Sequence, residues 1–96
     1  MYGLIGKMMA HPGRRDELLE ILKTQIGPMP GCRSYVIAKD PLDPNAIWVT
    51  EVWENTGSHQ ASLSLPQVKS AIHKAMPLIA SFDHRVETEP VAGLGL

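Results

Sequence analysis

Histidines are the side chains of this sequence best suited to acid–base chemistry, because an imidazole ordinarily titrates near neutral pH. His59 stands in "NTGSHQAS", directly after an apolar segment that carries a tryptophan, where a strand gives way to a helix. His73 follows Ile72 in a helical pattern, at the edge of the apolar stripe. We take His59 as the first candidate for a general base and His73 as the second. The alternative for both is an exposed surface histidine, and for His59 also a capping one.

The two remaining histidines have simpler interpretations. His84 shares one face of the predicted strand "SFDHRVETE" with Phe82 and Val86. This predicts a covered face, where His84 is a core or interface histidine with its hydrogen bonds satisfied. Phe82 and His84 are candidates for lining a substrate pocket. His11 precedes Pro12 in "HPG" and is interpreted as a turn residue.

Two tryptophans and a glutamate lie in the apolar segment "AIWVTEVWE", residues 46 to 54. Trp53 and Glu51 share one parity of this strand and Trp48 has the other, so one tryptophan faces the helices and the other the opposite side. Aromatic bulk in the core is the favoured role for both. Glu51 must be paired or lie at a cleft, and a salt bridge to Arg33 or Lys39 on the neighbouring strand, or across a dimer, is the favoured explanation.

Further side chains are suited to line a pocket. Tyr35 can donate its hydroxyl to a substrate oxygen, or pack with its polar tip in water. Met8 is an adaptable lining for a core or a pocket. Cys32 has no base near it in sequence and is interpreted as a small hydrophobic residue.

The common cofactor signatures are missing from the sequence: it has no G-x-G-x-x-G, no P-loop and no metal-ligand spacing. We therefore expect no cofactor and no metal, and an oxidation would draw its electrons from the substrate. A quinol or polyphenol fits, because removal of a hydroxyl proton leaves an electron-rich anion that can reduce dioxygen. Such a reaction needs a base, a dry aromatic-walled cavity and hydrogen-bond donors.

The overall composition limits the partners and the compartment. With 9 basic and 10 acidic residues the chain has a net charge of −1, which offers no surface for nucleic acid or anionic membrane. A single cysteine is typical of a reducing compartment, so we expect a cytoplasmic protein. No stretch has the roughly 18 apolar residues of a membrane helix. At 96 residues, one domain spanning 1–96 is expected.

Hydrophobic periodicity and turn residues divide the chain into six main elements and a short helix. The first long helix has Leu18, Leu22 and Ile26 in register. The second is expected to begin at a capping box formed by Ser64 and Gln67 and to end near Ala75 or Met76, ahead of Pro77, with Val68, Ile72, Ala75 and Ile79 as its stripe. Asn55 or Thr56 can cap the short helix. The strands are predicted at residues 2–10, 32–39, 46–54 and 81–89.

The order strand, helix, strand, strand, helix, strand predicts an α+β, ferredoxin-like fold with an antiparallel sheet and the helices on one side. The first and third strands are apolar at both parities, whereas helices can cover only one face of the sheet. We therefore expect a homodimer that packs through its sheet faces. The apolar tail "PVAGLGL" is expected to be a docked arm.

The whole chain resembles the antibiotic biosynthesis monooxygenase domain, a family of small dimeric α/β barrel proteins that includes quinol monooxygenase-like enzymes. The matching segments are "HPGRRDELLEIL", "PGCRSYVIAKDPLDPNAIWVTEVWEN", "HQASLSLPQVKSA" and "PVAGLGL". The most telling is "EVWEN" followed by "HQAS", since the family has an E-x-W element and then a histidine, here His59, with a serine, here Ser62, three residues on. The resemblance implies oxygenation of a small aromatic substrate by dioxygen without flavin, haem or metal, with Ser62 beside the site.

The same family contains proteins of other activities. Its haem-degrading branch has an asparagine on the first strand that has no match in "YGLIGKMMA". An isomerase of phosphorylated signalling sugars would need a pocket lined by cations, for which Arg14, Arg15, Lys39 and Lys69 are available. A non-catalytic binding or stress protein would have all its histidines exposed or structurally satisfied.

Overall fold

The computed structural model describes residues 1–96 and has a four-stranded antiparallel sheet with its helices on one face. The strand order is β2-β3-β1-β4, which confirms the predicted α+β, ferredoxin-like fold. The sheet is open rather than closed into a barrel. The elements are β1 Tyr2–Ala10, α1 Arg15–Lys23, β2 Cys32–Lys39, β3 Ala46–Trp53, α2 Thr56–Ser62, α3 Pro66–Ala75, a 3₁₀ turn Met76–Leu78 and β4 Ile79–Thr88.

Helix α1 packs on the sheet through Leu18, Leu19 and Leu22, all of them buried. The predicted stripe is wrong at its last member, because the helix ends at Lys23 and Ile26 lies beyond it, 51% exposed. Acidic residues in the first turn and a lysine in the last one complement the helix dipole.

The predicted capping box at the start of α3 is wrong. Leu65 is the N-cap residue and makes no side-chain capping bond, and Pro66 occupies the first turn, where its missing N–H costs nothing. The side chain of Gln67 instead donates to the carbonyl of Pro28, at 3.1 Å. The helix ends at Ala75, ahead of Pro77, as predicted.

The buried face of α3 also differs from the predicted one. Val68, Ala71 and Ala75 are buried, whereas Ile72 is 43% exposed. The spacing of three and then four residues keeps the buried side chains on one face of the helix. The predicted last member, Ile79, begins strand β4 instead.

The sheet has two different faces. Trp53 is 1% exposed beneath the helices, while Trp48 lies on the opposite face, so the predicted division of the two tryptophans is confirmed. No helix covers that opposite face, which we call the open face. Its central side chains are half-buried and its flanking ones more exposed: Ile5, Lys7, Met9, Trp48 and Val52 in the first group, Val36 and Val86 in the second.

Strand β4 carries an irregularity that changes which side chains share a face. Lys7 pairs with His84, but the next residue, Met8, pairs with Phe82, so Asp83 is skipped. The prediction that Phe82 and His84 share one face is therefore wrong. Phe82 lies on the face of Met8, toward the helices, and the His84 ring stacks on Trp48 on the open face, with 6.0 Å between ring centroids.

Beyond β4 the chain has no regular secondary structure. Val91 is 90% exposed and Leu94 is fully exposed, so this segment does not dock on its own subunit through these two side chains. Docking of the tail "PVAGLGL" on another molecule stays a prediction. None of the helices combines the length and the apolar character that crossing a membrane requires.

Candidate active site

A cavity of about 290 Å³ lies between the helices and the sheet. Its walls are mostly apolar, and polar side chains enter it at a few points. The apolar lining includes Leu4, Met8, Leu22, Met29, Val49, Trp53, Val68, Ile72, Met76 and Phe82. The polar lining includes Gln25, Tyr35, Glu51, His59, Ser62 and Arg85. An apolar cavity with a few convergent polar groups is the usual form of a small-molecule site.

His59 and Glu51 form a nearly buried pair in the wall of this cavity. The His59 Nε2 and Glu51 Oε1 atoms are 3.9 Å apart, and each side chain is only 12% exposed. This distance is too long for a hydrogen bond, but a charge on the imidazole would interact strongly with the carboxylate at this depth. The structure thus places Glu51, whose partner the sequence did not identify, beside His59, the first candidate base.

Glu51 is held in place by Trp53. The indole Nε1 of Trp53 donates to Glu51 Oε1 at 3.0 Å. Burial raises the pKa of the Glu51 carboxyl above its ordinary 4.5, while the Trp53 hydrogen bond, the neighbouring His59 and Arg85 partly oppose this shift. An ionised Glu51 is therefore short of compensation and gains from a cation beside it.

The predicted salt bridges of Glu51 within the chain are wrong. Arg33 instead pairs with Glu54, at 3.8 Å, and Lys39 pairs with Asp16, at 3.7 Å. Arg33 lies at the register shift of β2 and Lys39 at the end of this strand, and both side chains are exposed and paired with other carboxylates, so neither pairs with Glu51.

Helix α2 positions His59. Asn55 caps this helix by accepting from the backbone N–H of Ser58 at 2.7 Å, one of the two predicted caps. The imidazole then lies between two aromatic rings, with its centroid 5.4 Å from Tyr2 and 5.7 Å from Trp53. Contacts with two aromatic rings hold the orientation of the imidazole.

Ser62 is buried in the cavity wall one turn after His59. Its hydroxyl donates to the backbone carbonyl of His59 at 2.6 Å. The contact supports the backbone that carries the base. The hydroxyl oxygen retains its capacity to accept a hydrogen bond from a ligand.

Tyr35 lies across the cavity, and its hydroxyl accepts a hydrogen bond from Gln25 Nε2 at 2.9 Å. Burial, and after it the charge of Glu51, raises the pKa of Tyr35. The phenol therefore stays protonated at neutral pH. Because the bond from Gln25 uses only an oxygen lone pair, the Tyr35 O–H is available to donate to a substrate oxygen.

The structure brings most, but not all, of the predicted site residues together. Five of them line the same cavity as His59: Trp53, Tyr35, Met8, Ser62 and Phe82. His84 borders the cavity, but its ring stacks on Trp48. His73 is exposed on the last turn of α3 and does not line the cavity, because the buried face of that helix runs through Val68, Ala71 and Ala75.

Gln25, Arg85 and Gly6 are among the lining residues that were not predicted for the site from the sequence. Gln25 lies just past the end of α1 and is 7% exposed, which nothing in a polar "KTQ" run indicates. Arg85 alternates with His84 and Val86 in the sequence, a pattern that predicts a solvent-exposed side chain. For Glu51 a signal existed, namely a carboxylate inside an apolar strand.

The arrangement can move a proton and stabilise the charge that results. A substrate hydroxyl in the cavity could pass its proton to His59, and the imidazolium would then lie beside the Glu51 carboxylate. No group of three or more His, Cys, Asp or Glu side chains in the structure could hold a metal ion.

Comparisons with known proteins concern the family and the fold of the chain. The family model described as "Antibiotic biosynthesis monooxygenase" matches residues 1–74. A solved structure from Chloroflexus aurantiacus, provisionally named an antibiotic biosynthesis monooxygenase, is 60% identical. It superposes with a TM-score of 0.95, and the match covers 98% of this chain and 96% of that one. No match was found among curated protein sequences.

More distant structures share the fold. A Nitrosomonas europaea protein with the same provisional name is 14% identical, with a TM-score of 0.88 over 96% of this chain and all of that one. A Deinococcus radiodurans protein, also so named, is 24% identical, with a TM-score of 0.76 over 100% of this chain and 98% of that one. At these identities the likeness concerns the fold alone.

Proposed function

We propose that this chain, which belongs to the antibiotic biosynthesis monooxygenase family, is a monooxygenase that oxidises a quinol or polyphenol with dioxygen and without a cofactor. The observation that carries the proposal is the nearly buried His59–Glu51 pair in the wall of an apolar cavity. The family supplies the class of reaction, and the pair supplies the base that this class needs.

The proposed reaction begins with transfer of a hydroxyl proton from the substrate to His59. Glu51, 3.9 Å from Nε2, stabilises the imidazolium, and the Tyr35 hydroxyl is in a position to donate to a substrate oxygen. The aryl oxide anion passes one electron to dioxygen, and the resulting radical and superoxide combine to form the new C–O bond. For a hydroquinone the balance is quinol plus O₂ to hydroxyquinone plus water, with the quinol supplying all the electrons.

The surroundings of the cavity favour this proposal over a sugar-phosphate isomerase. Such an isomerase needs cations around its ligand, but Arg14 pairs with Glu17 at 2.7 Å and Lys39 with Asp16. Arg15 donates to backbone carbonyls, the shortest bond being 2.8 Å to Asp43. None of these cations lines the cavity, nor does Lys69. Lys7 and Arg85 do, but Lys7 belongs to the open-face side of β1, Arg85 is already paired with Glu87, and the lining is mainly apolar.

Oxygen consumption tests the proposal directly. Purified protein is mixed with a panel of reduced quinones and polyphenols in an oxygen electrode, and uptake above autoxidation is expected. His59→Ala should lose most of this activity, by about a hundredfold or more, as is usual for a general base. His11→Ala removes an exposed histidine from a turn and is the matched control.

The same assay separates the two candidate bases. His73→Ala should keep the wild-type rate, because His73 lies outside the cavity. No uptake with any substrate of the panel would contradict the proposed reaction, and a His59→Ala variant as fast as wild type would contradict the assignment of the base. A non-catalytic binding protein would give the first of these results.

We also propose that a second copy of the chain covers the open face. The apolar residues of this face are half-buried on the central strands and about half exposed at Val36 and Val86 on the outer ones, and Lys7, Thr50 and His84 are its polar members. A contiguous apolar face of this kind is rarely left in water. In a twofold contact between two such faces, the same residues are buried on both subunits. Light scattering at micromolar concentration should give the mass of two chains.

A further inference from the structure

Gly6 occupies a position where neither the backbone nor the packing requires a glycine. Its φ is not in the left-handed region, where only Gly13, Gly31 and Gly95 lie. A Cβ built on Gly6 would have no neighbour closer than the His84 carbonyl oxygen, at 3.8 Å. Alanine would therefore fit, and glycine in a strand interior is otherwise unfavourable. The missing side chain leaves a vacant strip on the cavity floor.

The sheet register shows what borders this vacant strip. Gly6 pairs with Val49 on one side and with Arg85 on the other, and all three residues line the cavity. The strip therefore runs across the sheet from an apolar wall to a guanidinium group. A flat ring can lie on a strand that has no side chain, where a larger residue would exclude it.

Arg85 has unused hydrogen-bonding capacity at the end of this strip. Its Nη1 donates to Glu87 at 3.1 Å, and its side chain is 59% exposed. A guanidinium carries five N–H donors in a planar fork, so one bond to Glu87 leaves donors for a second carboxylate. Arg85 is also the only arginine that lines the cavity.

The other polar end of the cavity has the opposite charge. Glu51 lies on β3 and Arg85 on β4, with β1 between them. Their partners on β1 are two positions apart, which puts the two Cα atoms roughly 12 Å apart. This span is of the order of the length of a two-ring aromatic that carries a polar group at each end. An acidic substituent would be repelled by Glu51 and attracted by Arg85, which orients the hydroxyl end toward His59.

We propose that Gly6 and Arg85 form a specificity subsite that selects aromatic phenols with a carboxylate at the end opposite to the reacting hydroxyl. The inference rests on the proposed function, because it takes the His59 end of the cavity as the place of reaction. Gly6 provides the floor for the ring and Arg85 the partner for the acid.

Binding in the absence of oxygen tests the subsite apart from turnover. Isothermal titration compares 2-naphthol with 6-hydroxy-2-naphthoic acid, which share one ring system and differ in the carboxylate. The acid should bind wild type about threefold to tenfold more tightly, the gain expected for a partly exposed charge-assisted contact. Arg85→Gln should abolish this preference, while Arg33→Gln, which removes an arginine of the edge strand outside the cavity, should retain it.

A graded series at Gly6 tests the floor of the subsite. Gly6→Ala should weaken binding of both ligands moderately, and Gly6→Val by tenfold or more, because the added side chain occupies the space of the ring. A valine in a strand supports folding, so circular dichroism and the melting temperature should show an intact protein. Thr50→Val, on the open face, should leave both dissociation constants unchanged.

Equal affinity of wild type for the two ligands, or unchanged binding by Gly6→Val, would overturn the subsite. Oxygen consumption would survive that result, and the proposed function with it. Conversely, a preference that depends on Arg85, without any oxygen uptake, would retain the subsite and refute the oxygenase.

Discussion

Replacing Glu51 with glutamine should make the protein slower and, at neutral pH, more stable. Glutamine keeps the size of the side chain and an oxygen that can accept from Trp53 Nε1, so the hydrogen bond of 3.0 Å survives. What disappears is the negative charge 3.9 Å from His59 Nε2. The two effects have opposite signs because the charge assists the reaction but is costly to bury.

The loss of activity can be estimated from the geometry. Two unit charges 3.9 Å apart interact by about 1 kcal/mol in a water-like environment and by about 4 kcal/mol at an effective dielectric constant of about 20. Because both side chains are only 12% exposed, the larger value is the better guide. The corresponding loss in kcat/KM lies between about fivefold and a thousandfold. Oxygen uptake at saturating dioxygen measures it.

The change in stability follows from the direction of the pKa shift. Because burial raises the pKa of Glu51 above 4.5, folding favours the protonated carboxyl. The stability contributed by that neutral form is fully present below pH 4.5 and is lost as the pH rises through the folded-state pKa. The ionised carboxyl therefore destabilises the wild type at higher pH. The neutral glutamine does not incur this loss.

Urea denaturation at pH 4 and pH 8 measures the stability difference. The variant should gain on the wild type between the two pH values, because the buried wild-type carboxyl ionises as the pH rises and the glutamine does not. A variant that is less stable than wild type at pH 8, or one that reacts at the wild-type rate, would refute the coupling of the buried carboxylate to the base.

Three further predictions concern the cavity, the open face and a turn. Tyr35→Phe leaves the Gln25 amide without its acceptor and should lower the free energy of unfolding by about 1 to 2 kcal/mol in urea denaturation. The same variant should raise KM more than it lowers kcat. An unchanged KM would show that Tyr35 does not bind the substrate. Val36→Glu should convert the proposed dimer to a monomer in light scattering, while the melting temperature at low concentration stays within a few degrees. A variant that remains dimeric would place the interface elsewhere. Gly31→Ala should lower the free energy of unfolding by about 1 to 3 kcal/mol, because φ is +82° there and the new Cβ would meet a neighbouring side chain; Gly27→Ala, with open space around it, is the matched control and should change little.

The fold could be predicted from sequence because hydrophobic periodicity and turn residues act locally. Pro77 ends α3 at the expected place, and Asn55 caps α2. Errors arose where several local signals compete. Ser64 and Gln67 have the spacing of a capping box, but Pro66 already begins the helix there and Gln67 bonds the carbonyl of Pro28 instead.

The site was only half visible in the sequence, because its parts come from distant segments. His59 was the first candidate and lines the cavity, but its carboxylate partner was assigned to other cations. The bulge at Asp83 shifts the alternation of β4, so that Phe82 faces the cavity and the His84 ring does not. A bulge adds one residue to a strand, so an assumed period of two assigns the side chains on one side of it to the wrong face.

The sequence by itself determined the order of the strands and helices, the family resemblance and the candidate base, since propensity, turn chemistry and motif spacing are properties of neighbouring residues. Only the tertiary structure decided that His59 points into a cavity, that Glu51 lies beside it and that the strip at Gly6 is vacant. Those facts depend on how β1, β3, α2 and β4 pack together, and packing joins residues whose separation along the chain carries no signal of contact.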